Sequence, residues 1–432
     1  MNTDLVAIFG FVTLFVLMLL RVPVGMAMGL VGVSGFAYLA GGTPALKIVG
    51  HTTMRSVTDM HFAVVPLFLL MGSFASNSGM SREIFRAANA YLGHLRGGLG
   101  IATIAACGGF AAISGSSVAT AATFSRVAYP EMRRYGYPQT FATGVIAAGG
   151  TLGVMIPPST VLAIYGLITE QDIAKLFIAG VVPGILAIVM YMATIVIVGR
   201  VRPGYLPAGK PAPWRERLAA MRDVWATLAL FLFVIGGIYG GLFTPTEAAG
   251  MGAAGAFILS VVRRRLSAAD ILRSLLEATR TTAAVFTVLI GALLFGYFLT
   301  ITQVPQKVTE FLVGLGIGHY GVLALIMVMY LVLGTLMDAL GMIILTVPIV
   351  FPVIKELGFD PIWFGIIIVM VAELGLIHPP VGMNIFVIKS VVEDVKISTI
   401  FYGVLPFILT DLLRLVILIA FPMVALWLPS HM

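Results

Sequence analysis

The chain interrupts itself twice with the same pattern. Leu152-Gly153, three residues and Pro157-Pro158, within Gly149–Ser159, return as Leu374-Gly375, three residues and Pro379-Pro380, within Leu374–Asn384, 222 positions later. Each copy sits between two apolar runs too short to be separate membrane spans. Glycine weakens a helix, and proline removes a backbone donor and clashes with the preceding turn. Each helix is therefore expected to break and leave carbonyls without partners. In hydrocarbon such a group is costly unless protein, water or an ion satisfies it. Two matched breaks at membrane depth point to ion or solute sites.

Membrane depth follows from composition. The 432 residues are 59% hydrophobic and 10% charged, with mean hydropathy +1.05, and apolar runs recur from end to end. That is the balance of an all-α polytopic membrane protein. An outer-membrane barrel would need alternating segments of about ten residues, which are absent. The net charge of +7 comes from basic residues scattered over short loops. Positive-inside bias explains it better than nucleic acid, which is not an expected partner. The single Cys107 excludes internal disulfides and reads as packing. Met1-Asn2-Thr3-Asp4 offers no basic region before the first apolar run, so that run is expected to stay as a span.

In order, Leu5–Leu20, Val24–Ala40 and Phe62–Ser76 read as spans, with a connector holding Lys47, His51 and Arg55 before the third. Ser81–Arg96 is amphipathic, with Ile84, Phe85, Ala88, Tyr91, Leu92 and Leu95 on one face, as in a helix resting on the membrane surface. Gly97–Ile113 and Val118–Val127 are short arms around Ser114-Gly115-Ser116-Ser117 and read as a re-entrant hairpin. Thr140–Ile168 is the first broken helix and Leu176–Val198 a span. Arg200–Arg222 is a basic, proline-containing linker.

The plan then repeats. Val224–Tyr239 and Ala248–Val262 are spans, Leu266–Ala278 is amphipathic and Thr281–Thr300 spans. Tyr320–Leu333 and Met342–Val353 flank Gly334–Gly341 as a second hairpin, Pro361–Val391 is the second broken helix, and Phe401–Leu428 is the last span. Val22-Pro23-Val24 and Thr244-Pro245-Thr246 share the offset of 222, and Gly180–Pro183 and Gly403–Pro406 differ from it by one. The expected division is 1–200, first repeat (hairpin 97–128, broken helix 140–168); 201–222, cytoplasmic linker; and 223–432, second repeat (hairpin 320–354, broken helix 361–391). Five crossings separate Pro23 from Pro245, and an odd number makes the repeats inverted in topology. With the linker inside, twenty of the 26 Lys and Arg fall on the cytoplasmic side and five outside. Both termini are then periplasmic.

The polar groups at these features have two readings each. Ser114, Ser116, Ser117 and Thr120 either cap and pack two short helices or, with freed carbonyls, coordinate a small hard cation. Asp338, 222 positions after Ser116, is either a solvated helix cap or a functional acid at membrane depth, and Glu373 is a weaker candidate of the same kind. His378 lacks companions at metal-ligand spacing and either orients the break or titrates near neutral pH. Asp411 and Arg414, three apart, read as a structural pair. Thr244-Pro245-Thr246-Glu247 reads as a capping box starting a helix. No phosphate loop, nucleophile elbow or catalytic carboxylate pair is present, so neither enzyme chemistry nor a cofactor is expected, and energy is expected from an ion gradient.

Gly115–Thr120, Gly150–Ser159, Thr244–Ala249 and Pro379–Asn384 together resemble the large membrane subunit of tripartite ATP-independent periplasmic (TRAP) transporters, in order and over essentially the whole chain. The resemblance implies bacterial inner-membrane, sodium-coupled symport of an organic acid (a C4-dicarboxylate, keto acid or sugar acid). It implies a small (Q type) membrane subunit and a periplasmic (P type) solute-binding protein as partners. It also implies an elevator mechanism, with hairpins and broken helices moving against a scaffold. Carried over, the sodium sites fall at Ser114, Ser116, Ser117, Thr151 and Gly153, and at Asp338, Gly341, Gly375, His378 and Met383. Substrate falls between them, near Ser116, Thr120, Pro157, Pro158, Pro379, Pro380 and Asn384. The family often has threonine where this chain has His378. The competing readings are a stand-alone carboxylate or ion transporter of the same architecture and, more distantly, a membrane enzyme or a channel.

Overall fold

The computed structural model describes residues 3–432, apart from the side chain of Leu336; Met1 and Asn2, which open the N-terminal reading, lie outside the described residues. Its regular structure is helical, in the order α1 (Thr3–Leu19), α2 (Val24–Ala40), α3 (Gly42–Thr58), α4 (Val64–Asn77), α5 (Met80–Leu92), α6 (Gly98–Ser114), α7 (Ser117–Arg134), α8 (Gln139–Met155), α9 (Thr160–Thr169) and α10 (Ile173–Val201). After the linker come α11 (Trp214–Tyr239), α12 (Pro245–Val262), α13 (Ala268–Thr302), α14 (Val304–Gly314), α15 (Gly318–Leu336), α16 (Ala339–Glu356), α17 (Pro361–Gly375), α18 (Met383–Val391), α19 (Ile397–Ala420) and α20 (Met423–Leu426). Among the described residues, nine helices or helix pairs are long and apolar enough to cross a membrane. The apolar residues of α1 show what their surroundings must be: Ile8, Phe9 and Leu19 are exposed at 60%, 67% and 83%, which only lipid or another protein tolerates.

Both hairpins and both broken helices are present as helix pairs. Starts of α7 and α16 (Ser117, Ala339) and of α8 and α17 (Gln139, Pro361) are each 222 apart. The first hairpin turns through Gly115, whose φ of +58° suits glycine, and Ser116, whose hydroxyl accepts the Ala119 N–H and caps α7. The second turns through Met337 and Asp338, whose carboxylate caps α16 from the Gly341 N–H.

Several boundaries differ from the sequence reading. The connector before the third span is α3, which the extended backbone of Asp59 separates from α4; its side chain accepts the His61 N–H. Its counterpart at the 222 offset is Thr281, which offers no such stop, so the amphipathic segment and the following span form the single 35-residue α13. Helix α14 lies between the third span and the second hairpin of that half, where no element was expected. The second arm of the first hairpin runs on to Arg134, the linker is already helical from Trp214, and the last span ends at Ala420. Helix α5 does not lay its apolar face on lipid. Ile84 and Phe85 are buried, and Phe85 packs edge-on against Phe124 of α7 at 6.5 Å. Its Glu83 is fixed by Arg263 in a two-pronged pair at 2.8 and 3.0 Å, geometry that suits a guanidinium.

Of the nine apolar spans, the first broken helix has the most buried window. The apolar window of Gln139–Thr169 is 83% buried, against 28% for Ile173–Val201 and for Trp214–Tyr239. Away from it, α2 and α13 meet backbone to backbone through glycine. A Cβ on Gly32 would stand 2.6 Å from the Phe295 nitrogen, the close approach typical of helices packed in lipid.

Gly32→Ala is expected to destabilise the protein by about 1–3 kcal/mol through overpacking. Gly296→Ala, on the same helix pair with nothing within 4 Å of the added Cβ, is expected to be neutral or to gain up to about 1 kcal/mol in helix propensity. Thermal unfolding midpoints in one detergent check the contrast.

Candidate ion and substrate site

Proline decides which carbonyls are left over. Helix α8 ends at Met155, and the carbonyls of Gly153 and Val154 would be bonded from positions 157 and 158, both proline without an N–H. Leu152 O keeps its bond from Ile156 N at 3.1 Å. No described donor reaches the oxygens of Gly153 and Val154. Ile156 and Ser159 then run extended, and the Ser159 hydroxyl caps α9 from the Leu162 N–H.

The tip of the first hairpin lies against this break. A Cβ on Gly153 would stand 2.6 Å from the Ser116 carbonyl carbon and 2.8 Å from the Ser117 nitrogen, so only glycine lets the two backbones meet. Thr160 Oγ1 donates to Gly115 O at 3.1 Å. Ser114 Oγ lies 3.1 Å from Thr120 Oγ1, which donates to Ser116 O at 2.8 Å. Ser114, Ser117, Thr120 and Thr151 are buried, as are Pro157 and Pro158, and Ser116 is half-buried. Every group here is a hydroxyl or carbonyl oxygen, the donor set a small hard cation takes. The structure thus brings Ser114, Ser116, Ser117 and Gly153 together. Thr151 faces elsewhere: its hydroxyl donates to Ala148 O at 2.7 Å and stands 3.2 Å from the Tyr191 hydroxyl.

The second break is arranged differently. Gly375 O and Leu376 O lose their proline partners too, but His378 N (3.3 Å) and Asn384 N (3.0 Å) replace them. Gly375 meets Gly334 of the second hairpin, a Cβ there standing 2.6 Å from the Gly334 Cα. Asp338 is exposed and bonded to Gly341 N at 3.0 Å, the capping role, and Pro379, Pro380 and Met383 are exposed as well. His378 is half-buried, its Nδ1 2.7 Å from Pro379 O. Asn384 is fully buried and crosses to the first site. Its Nδ2 donates to Ser117 Oγ at 2.7 Å, and its Oδ1 lies 3.0 Å from the same hydroxyl.

The sequence reading missed Thr160, Tyr191 and the Ser117–Asn384 bond. Tyr191 carries a hydroxyl inside an apolar span, which is itself a signal; partners 267 positions apart leave none. Asp411 and Arg414 do pair, at 2.9 Å.

Residues 11–424 match the family model described as the DctM component of tripartite ATP-independent periplasmic transporters. The chain is 41% identical to the C4-dicarboxylate TRAP transporter large permease protein DctM of Pseudomonas aeruginosa, over 86% of this chain and 87% of that one. It is 31% identical to the sialic acid TRAP transporter large permease protein SiaM of Vibrio cholerae, over 94% and 95%. It is 34% identical to the ectoine/5-hydroxyectoine TRAP transporter large permease protein UehC of Ruegeria pomeroyi, over 97% of each. Among solved structures, the YdaH transporter of Alcanivorax borkumensis superposes with TM-score 0.62 at 15% identity, covering 91% of this chain and 90% of that one, a likeness of fold.

Ser117→Ala leaves the buried Asn384 amide without its partner and is expected to cost about 1–3 kcal/mol. In a double-mutant cycle with Asn384→Ala, read from unfolding midpoints, the two changes are expected to couple by more than about 0.5 kcal/mol. Strict additivity would show that the bond contributes nothing.

Proposed function

Because this chain belongs to the DctM family of TRAP transporter large permeases, we propose that it is the permease of a sodium-coupled symporter that imports an organic acid across the bacterial inner membrane. The observation that carries the sodium part is the first site. Pro157 and Pro158 strip two carbonyls of their donors at a buried break, and the backbone of that break packs at Gly153 against a hairpin tip that carries hydroxyls. Helix C-terminal ends are partially negative, so the ends of α6 and α8 favour a cation there. The first site comprises Ser114, Ser116, Ser117 and Gly153, with Thr151 behind it. The second comprises Gly375 and Gly341 with Asp338, His378 and Met383, in a more exposed setting.

Substrate is assigned between the two breaks, at Ser116, Thr120, Pro157, Pro158, Pro379, Pro380 and Asn384. The Asn384–Ser117 bond supports coupling, since one group drawn toward substrate or ion disturbs the other. The most similar of the relatives named above carries C4-dicarboxylates by name, and two carboxylates suit the N-terminal ends of α9 and α18. A small membrane subunit and a periplasmic binding protein are the partners proposed, and both chain termini are placed in the periplasm.

For movement we propose an elevator built on inverted repeats. Residues 1–200 and 223–432 form the repeats and 201–222 the linker between them, with α6–α9 and α15–α18 carried past a scaffold that includes α2, α4, α12 and α13. The contact between α4 and the first hairpin supports sliding: a Cβ on Gly72 would lie 2.8 Å from Ser114 O, so the scaffold there presents bare backbone.

Uptake in proteoliposomes holding the chain, the small subunit and the binding protein is expected to require inward sodium and to be lost when the binding protein is omitted. Ser114→Ala and Gly153→Val are each expected to raise the sodium concentration for half-maximal uptake on the order of tenfold, about 1.4 kcal/mol. Sodium dependence unchanged in both would remove the first site. Uptake by the chain alone at full rate would favour a stand-alone transporter.

A further inference from the structure

Helix α11 carries a stripe that the transport reading does not use. Trp214, Leu218, Met221, Trp225, Leu228 and Leu232 recur at alternating steps of four and three, so they share one face. All six are exposed, Trp214 at 70% and Leu218 at 64%. Such a face is tolerated only against lipid or another protein. The stripe does not stop where the span does. Arg215, Glu216, Arg217, Arg222 and Asp223 occupy the other faces of the first turns, a density of charge that belongs at headgroups rather than in hydrocarbon. The start of α11 therefore lies at headgroup depth with its apolar side still turned outward.

Arg217 stands at the edge of this stripe, where α11 meets α5. Its guanidinium carbon lies 5.1 Å from the centre of the Trp214 ring and 5.8 Å from that of the Tyr91 ring of α5. Two aromatic faces attract a cation and hold it in place. The group is pinned but not used. Its Nε is buried without a hydrogen-bond partner. Among the described residues no carboxylate stands within 4 Å of the guanidinium, Glu216 and Asp223 included. Arg263, at the same end of the molecule, shows the contrast: it holds both oxygens of Glu83 and the Asp223 carbonyl of α11.

We infer that the junction of α5 and α11 at Arg217 binds an anionic phospholipid of the cytoplasmic leaflet, with its phosphate on the guanidinium and an acyl chain along Leu218, Met221 and Trp225. The planar fork of arginine suits phosphate oxygens. A free phosphate shares that contact but has no use for the apolar stripe beside it, so the stripe selects the lipid. Charge points the same way. Six of the chain's 26 Lys and Arg lie within 200–222, and basic clusters next to a span meet the anionic lipids of the cytoplasmic leaflet. Helix α5 also packs on the first hairpin through Phe85 and Phe124, so the lipid bears on the support of that hairpin.

Native mass spectrometry of the purified chain, alone and with the small subunit, tests this by counting bound phosphatidylglycerol against phosphatidylcholine. The wild type is expected to retain phosphatidylglycerol in preference, and Arg217→Gln to weaken that binding on the order of tenfold, through loss of one charge-assisted contact. Arg215→Gln removes the same charge two residues away and is expected to change it little. Trp214→Leu keeps the stripe apolar but frees the guanidinium; it is expected to weaken binding too, and gives a second reading should Arg217→Gln not fold. No preference for phosphatidylglycerol in the wild type overturns the inference. Equal losses in Arg215→Gln and Arg217→Gln would show diffuse surface charge instead of a site. Displacement of the lipid by inorganic phosphate would show a free-anion site, and binding abolished by the small subunit would assign the face to that subunit. Each of these results overturns it.

Discussion

Everything distinctive in this chain depends on one restriction: backbone amides and carbonyls in a bilayer have no solvent to fall back on. A continuous helix satisfies them internally. Pro157-Pro158 and Pro379-Pro380 forbid that at two matched places, and the molecule answers each differently. At the second break the peptide nitrogens of His378 and Asn384 fold back and take up Gly375 O and Leu376 O. At the first, no such N–H replaces the proline partners of Gly153 O and Val154 O, and Gly153 packs against the Ser116–Ser117 backbone of a hydroxyl-rich hairpin tip. Buried carbonyls without donors are costly unless something positive meets them, which is the physical reason for reading the first break as an ion site.

Glycine makes the rest of the design feasible. The hairpin tips reach the breaks because Gly153 and Gly375 carry no side chain, and α2 closes on α13 through Gly32 for the same reason. Without a hydrophobic driving force between helices in lipid, such close approach together with polar bonds must supply the specificity. Three of the long-range bonds that tie helix to helix are Asn384 to Ser117, Tyr191 to Asp411 and Glu83 to Arg263. Two of the three lie at or just behind the breaks.

How much of this was legible in the sequence follows from what each signal encodes. The offset of 222 and the paired prolines are local and strong, and both breaks and both hairpin turns lie where they indicate. Helix α3 was hidden because its Lys47, His51 and Arg55 imitate a loop, and α14 because proline and glycine bound a short segment. An amphipathic stripe says that one face is buried but not against what. Helix α5 therefore looked like a lipid-surface helix while it packs on the first hairpin. At the candidate site, the tip of Ser114, Ser116 and Ser117 beside Gly153 was readable from the repeat, whereas Asn384 crossing to Ser117 and the alliance of Thr151 with Tyr191 depend on tertiary packing that no spacing records. Asp338 had two readings in the sequence, helix cap and functional acid, and in the structure its carboxylate caps α16 in an exposed turn.

The most direct measurement is a density map of the protein in a lipid bilayer with sodium present. The Pro157 and Pro379 peptides should lie near the bilayer midplane between helix halves, with a peak at oxygen-coordination distance from Gly153 O, Val154 O and the Ser114–Ser117 tip. Unbroken helices through the hydrocarbon, with both proline pairs at the aqueous surface and no such peak, would contradict it.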